Sequence, residues 1–285
     1  MRGLRVQTSD SMMKRRYAQG DISFTPNVEN VPFFLALALG SVSTGVLTDA
    51  SYTHTFTVQN DNSIPRTASI IVQEGGVQTI RYTNCVLNSL TLEVSDDYAT
   101  MTANVIGKFP ATTTFAPSFS KQTEFAYHQL TVKFGTTLAN ATAAQATPLK
   151  GFTLAINNNV LLDEAFLSGS NGITNATLLP GRLSVTGTYT LHFVDTVELA
   201  KYQANTRNAM VVQFTGNLIG STSTEDIAFR LGRVILSKPP VEYPIDNLIV
   251  LTQEFEVEWD TTDAEITATV RNTQANAAGV RYNPA

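Results

Sequence analysis

The chain has one cysteine, Cys85, in 285 residues, so no intrachain disulfide can form. Charge is scarce: Asp, Glu, Lys and Arg together make up 15% of the residues, well below the roughly 25% usual in soluble domains. Long apolar runs are missing as well. The longest, residues 31–39, is far short of the about 20 residues that cross a bilayer as a helix. The first residues lack the basic, apolar and small-residue plan of a secretory signal, so a cytoplasmic start is expected. Basic residues number 19 against 24 acidic ones, for a net charge of −5, and the isoelectric point is near 5.2. A DNA-gripping protein needs Lys and Arg to displace counterions from phosphates, and the chain as a whole is not built for that. No glycine-rich phosphate loop, nucleophile elbow or metal-ligand spacing occurs. His54, His128 and His192 lie far apart with no ligand-like neighbours and read as surface or interface residues. Catalytic residues, cofactor and metal are therefore all expected to be absent, as is any enzymatic activity.

What replaces charge is hydroxyl: the chain holds 39 threonines. A β-branched, apolar-rich composition favours extended structure and supports a core. Period-two alternation appears in Leu90–Val94, Met101–Val105, Tyr189–Phe193, Phe255–Trp259 and Ile266–Val270, each run with one apolar and one polar face. Ser95-Asp96-Asp97 reads as a hairpin turn, and Gly75-Gly76 as another. Cys85 sits in a strand-like run and reads as a small core residue. Two helices are predicted. Residues 31–39 have Pro32 in the first turn and Gly40 past the end. Residues 197–203 follow a capping-box spacing in Asp195-Thr196-Val197-Glu198. An Ala/Thr stretch, residues 136–147, reads as a loop.

The order of elements repeats. Gly20–Phe24 precedes the first helix and Gly187–Leu191 the second. Residues 67–73 follow the first and residues 208–214 the second; each half then closes with an expected hairpin, residues 88–107 and 251–271. Further upstream, Leu4-Arg5-Val6-Gln7-Thr8 matches Phe152-Thr153-Leu154-Ala155-Ile156. The division expected is an N-terminal arm at 1–19, a first β-domain at 20–115, a second at 116–271, and a C-terminal arm at 272–285. The boundary falls in the Pro/Thr segment of residues 109–125.

Two charge features stand out. Glu254, Glu256, Glu258 and Asp260 fall on one face of a strand, with Glu93 and Asp97 as their counterparts in the first half. Catalytic carboxylates come as a pair across a cleft, so this row suits an outer face or an acidic wall instead. Phe255, Val257 and Trp259 would pack on the opposite, inner side. Five basic residues, Arg2, Arg5, Lys14, Arg15 and Arg16, crowd the first 16 positions against Asp10 alone, as a solvated terminal arm or one that docks on an acidic neighbour.

The run Val31 to Ser41 with Tyr52-Thr53-His54-Thr55-Phe56, the run Tyr82 to Leu92 leading into Met101 to Lys108, and Phe229 to Leu236 leading into Gln253 to Val257 together resemble the major tail tube proteins of long-tailed bacteriophages, in the form that fuses two tube domains. The resemblance implies an all-β fold of two tandem β-sandwich or barrel domains, each with a short flanking helix. It implies homotrimeric, pseudo-hexameric rings stacked into a tube that carries DNA during ejection. It places the chain in the virion tail after assembly in the bacterial cytoplasm, with a tape measure, a tail terminator and a distal tail protein as partners. DNA would be transient cargo, and no membrane is involved. On this view Glu254, Glu256, Glu258, Asp260, Glu93 and Asp97 line the channel, and Arg2, Arg5, Lys14, Arg15 and Arg16 belong to an arm that bridges rings. So do residues 42–66 and 272–285. The alternatives are a β-rich receptor- or carbohydrate-binding module, which clustered exposed aromatics would favour, and a capsid or head–tail joining protein.

Overall fold

The computed structural model describes residues 17–47, 49, 51–59, 66–95, 97–116, 123–167, 175–192, 197–238, 241–242, 250–259 and 264–275. The basic residues Arg2, Arg5, Lys14, Arg15 and Arg16, and Asp260, lie outside them. The first half contains β1 (Ala18–Phe24), α1 (Val31–Leu39), β2 (Gly40–Val46), β3 (Tyr52–Val58), β4 (Ala68–Glu74), β5 (Gln78–Val94), β6 (Thr100–Gly107) and β7 (Ala111–Thr112). Then come β8 (Leu130–Gly135), α2 (Leu138–Ala143), β9 (Gly151–Asn157), β10 (Leu161–Leu167), β11 (Asn175–Leu179) and β12 (Ser184–His192). The chain continues with α3 (Val197–Gln203), β13 (Asn208–Ile219), β14 (Ser223–Lys238), β15 (Val241–Glu242), β16 (Val250–Val257) and β17 (Ile266–Asn272). The fold is all-β, dominated by antiparallel pairing.

Both helices expected from the sequence form, over the residues expected. α1 ends where Gly40 takes a φ of 88° and donates its N–H to the Ala36 carbonyl, a backbone conformation that glycine adopts at little cost. All of α1 except Phe33 is buried, as suits a helix that is apolar all round. Asn27 shapes its entry: Oδ1 accepts the N–H groups of Glu29 and Asn30 at 3.0 and 2.8 Å. The Ala/Thr stretch read as a loop instead forms α2. Thr137 caps it by accepting the Asn140 N–H at 3.2 Å, and Gly135 gives it room, since a Cβ there would lie 2.2 Å from the Ala141 nitrogen. The segment at 42–66, read as lacking pattern, contains most of the β2–β3 hairpin. The arm drawn to residue 19 gives way to β1 at Ala18.

One sheet path runs β1-β6-β5-β9-β12-β16-β14-β17-β3-β2. β14 bends this path into two layers. Its first part, Asp226 to Leu231, lies between β13 and β17, while Val234 to Lys238 pairs with β16. The inner faces of both layers meet in one core, which includes Leu90, Leu92, Phe152 and Phe255 from one side and Phe56, Phe214, Phe229 and Val270 from the other. Residues 251–271 are not a hairpin, because β14 lies between β16 and β17. The hairpin expected at 88–107 does form from β5 and β6, and Gly75 and Gly76, at φ 53° and 78°, turn β4 into β5.

The order β1-β6-β5 recurs as β12-β16-β14, antiparallel throughout. The two halves nevertheless share strands rather than stand apart: β5 pairs with β9, and β17 with β3. Side chains tie them too. Asp49 accepts hydrogen bonds from Ser51 Oγ at 2.6 Å on one oxygen and from the Ser223 N–H at 2.9 Å on the other. These bonds, that to the Ser51 hydroxyl foremost, hold its carboxyl well below the usual carboxylate range. Asp49→Ala is expected to free the β13–β14 turn, which Gly220 opens at φ 68°, and to raise amide exchange at Thr222 and Ser223 without unfolding the core. Hydrogen exchange read by NMR checks this.

Candidate functional site

The pairing registers bring the polar faces of six strands together. One row runs Thr100, Glu93, Thr153, Thr188, Glu254 across β6, β5, β9, β12 and β16. The next runs Ser23, Thr102, Thr91, Ala155, Thr186, Glu256, beginning on β1. The third runs Asp21, Asn104, Ser89, Asn157, Ser184. On these six strands none of the positions is Lys or Arg and Ala155 is the single apolar one; on β14 the first row continues to Lys238, opposite Glu254, and the second to Ile235, opposite Glu256. On the reverse of the same strands Leu90, Leu92, Met101, Ala103, Phe152, Leu154, Tyr189 and Phe255 are buried.

The polar side chains bond to one another along these rows. Thr153 and Thr188 hydroxyls meet at 2.7 Å, Ser23 and Thr102 at 3.0 Å, and Thr190 and Thr252 at 3.2 Å. Asn104 donates to Asp21 at 2.6 Å and accepts from Asn88 at 3.1 Å. Such cross-strand pairs hold hydroxyls and amides flat on the sheet. Glu93 and Glu254 stand three strands apart, about 14 Å. That exceeds the Debye length of about 8 Å at physiological salt, so their mutual repulsion costs the fold little.

The structure brings Glu93, Glu254 and Glu256 onto one face, and adds Asp21, which sequence reading did not single out. Its signal is the alternation of Asp21 and Ser23 with Ile22 and Phe24 in β1. The other expected members differ. Asp97 lies beyond the end of β5, exposed in the turn. Glu258 lies beyond β16, where Arg207 Nε and Arg233 Nε approach its Oε2 at 3.3 and 3.1 Å. Trp259 does not pack inward; it is 62% exposed, because the strand ends at Val257 and the alternation ends with it.

The outer face of the other layer has a different character. Arg271 lies opposite Asp226, and Arg230 opposite Thr267. Asp226 accepts from Gln213 Nε2 at 3.0 Å; burial raises its carboxyl, while Arg271 and Arg230 act against that rise. One outer face is thus mostly hydroxyl, amide and carboxylate, with Lys238 opposite Glu254 at its β14 edge, and the other carries an arginine pair.

The profile of the phage tail tube protein family matches residues 1–276. The chain belongs to that family. No curated protein matches it. As a tail tube protein it is a structural component of the virion tail. Among the described residues no group of His, Cys, Asp and Glu could hold a metal ion.

Of the three histidines expected at a surface or interface, His54 lies instead inside this tube protein. His54 is fully buried. Its Nε2 lies 3.0 Å from Asn272 Oδ1 and its Nδ1 2.9 Å from the Thr44 hydroxyl. Asn272 Oδ1 also accepts the Gln274 N–H, so Nε2 carries the proton and Nδ1 accepts from Thr44. Burial lowers the His54 pKa from the usual value. An unfolded chain therefore takes up this proton first as pH falls. Stability from His54 is full above about pH 6.5 and declines below it toward the folded-state value. Comparison of urea unfolding from pH 8 to 5 for the natural chain and His54→Gln is expected to show a shallower decline for the variant.

Proposed function

We propose that three copies of this chain close into a ring with pseudo-sixfold symmetry, that rings stack into the tail tube, and that the rows rich in hydroxyls and carboxylates line the channel through which DNA leaves. The halves at 20–115 and 116–271 act as two tube-type units within each copy; the repeated order β1-β6-β5 and β12-β16-β14 supports this. The observation that carries the lumen assignment is the composition of the three rows. Duplex DNA presents one negative charge per about 1.7 Å, and each Lys or Arg on the wall would release counterions and hold it. A face of hydroxyls, amides and the carboxylates of Asp21, Glu93, Glu254 and Glu256 offers hydration and like charge instead. The arginine-bearing face at Arg230 and Arg271 is then the outer wall.

Inter-ring contacts fall to the β2–β3 hairpin, to the segment from residue 272 onward, and to basic residues of the N-terminal segment. A tape measure within the channel, a terminator and a distal tail protein at the ends complete the partners, with assembly in the bacterial cytoplasm. Negative-stain microscopy of the purified chain tests the reading. Rings and tubes are expected; a protein that stays monomeric at high concentration would instead fit a binding module.

A further inference from the structure

The two halves of the chain meet along two strand seams, and the seams close differently. At the end of the β5–β9 seam the side-chain contacts are amides: Asn158 Nδ2 donates to the Leu87 carbonyl at 3.0 Å, and Asn88 Oδ1 accepts the Val160 N–H at 3.1 Å. The ionisable residue in that register is Glu93, which is exposed. The β3–β17 register ends with Val270 opposite His54, Arg271 opposite Thr53 and Asn272 opposite Tyr52. Here the ionisable group is shut inside, since His54 is 0% exposed and Asn272 2%.

Asn272 is the hub of this end. Its Nδ2 donates to the Val28 carbonyl at 2.9 Å, in the turn that leads into α1. Its Oδ1 accepts from His54 Nε2 at 3.0 Å and from the Gln274 N–H at 2.9 Å. Gln274 Nε2 in turn donates to Glu29 Oε1. On the other side of the imidazole, the Thr44 hydroxyl of β2 donates to Nδ1 at 2.9 Å. One neutral ring, with one donor and one acceptor nitrogen, thus ties β2, β17 and, through Asn272, the entry to α1. A second ring proton would set a charge where no solvent reaches, and Nδ1 could then no longer accept from Thr44.

We propose that His54 and Asn272 form a proton-sensitive clamp on the β3–β17 seam: acid opens this end of the seam, and with it residues 272–275 and the α1 entry, while the β5–β9 seam stays closed. The clamp belongs to the single chain and stands apart from ring formation. Its direction follows from burial. The closed site lowers the His54 pKa and the opened site restores the ordinary value, so opening takes up a proton below about pH 6.5. The groups around it act differently. β2 and α1 carry no titratable side chain. β3 supplies Tyr52 and β17 supplies Arg271, a phenol and a guanidinium, groups that as a class keep one form between about pH 5 and 8. Glu29, which Gln274 holds, faces Glu225, whose carboxyl is pushed up by its own burial and by Glu29. Glu225 takes its proton more readily while the site is closed, so it opposes opening in acid. Asp49 is held low by Ser51 and Ser223 and acts below this window.

Amide exchange of the full-length chain, corrected for the intrinsic rate and read by mass spectrometry at about pH 7.5 and 5.5, tests the clamp. Protection in peptides from β3, and from β17 through Ala275, is expected to fall about fivefold to tenfold, the range that one proton at a pKa of about 6.5 allows. Protection in β5 and β9 is expected to hold. His54→Gln keeps a donor toward Asn272 and cannot charge, so in that variant β3 and β17 are expected to be protected alike at both pH values. An NMR titration of the ring protons in the natural chain needs no variant: His54 is expected to titrate below about pH 6.5. Protection of β3 and β17 that survives to the lower pH, equal losses in both seams, an undiminished loss in His54→Gln, or a His54 that titrates at or above about pH 6.5 would each overturn the proposal.

Discussion

Phe255→Ala will lower the unfolding free energy by about 3–5 kcal/mol, as large-to-small changes at buried aromatics do. Phe255 is 1% exposed and is the point where the core aromatics converge. Its ring centroid lies 6.1 Å from Phe152, at 24° between planes, and 6.1 Å from Tyr189, which in turn meets Phe134 at 5.2 Å. These four residues come from β16, β9, β12 and β8, so the ring ties both layers of the sandwich. Gly187 is shaped around it: a Cβ there would stand 2.5 Å from the Phe255 ring and 2.3 Å from the Thr153 carbonyl. The local sheet therefore cannot collapse inward without moving backbone, and the cavity persists. Urea unfolding followed by circular dichroism gives the number. A loss under about 1 kcal/mol would mean that this cluster is not the centre of the core.

Reversing the charge of the wall is expected to block function while leaving the subunit folded. Glu93→Lys, Glu254→Lys and Glu256→Lys combined replace three carboxylates per chain by three ammonium groups on one face. Glu93 and Glu256 are exposed and Glu254 half-buried, so the fold tolerates the change within the small range of surface substitutions. The passing duplex would then meet cations at every ring. Binding built from 6–10 phosphate contacts changes by about 10³–10⁵ between 50 and 200 mM salt. Phage particles carrying the variant should assemble with normal tail length and release DNA at least about a hundredfold more slowly at low salt, with recovery as salt rises. Release at the natural rate in low salt would remove these residues from the channel.

Local structure was legible wherever one periodicity or one end signal settled it. Pro32 and Gly40 bracket α1, and the alternation of Leu90, Leu92 and Val94 names the buried face of β5. Thr137 with Asn140 three residues later carried the capping signal of α2, but the Ala/Thr composition around it masked the signal. Pairing was not legible. Which strand lies beside which depends on edges brought together over long separations, so nothing local announces that β14 divides β16 from β17 or that β17 joins β3. The same limit applies to the site. Period two placed Glu254 and Glu256 on one face, yet only the registers align Glu93 with Glu254 through Thr153 and Thr188. Alternation carried past the end of its strand misplaced Trp259 and concealed the pairing of Glu258 with Arg207 and Arg233. His54 had no signal, because its partner Asn272 is 218 residues away.

The central claim is geometric, and a reconstruction of the assembled protein by electron cryomicroscopy tests it most directly. The quantity to measure is the direction of the row Glu93, Thr153, Thr188, Glu254 relative to the tube axis. This row and its two neighbours are expected to face the axis, with Arg230 and Arg271 on the outside. Carboxylates that point outward, or that sit within salt-bridge reach of Arg2, Arg5, Lys14, Arg15 or Arg16 of another copy, would contradict it.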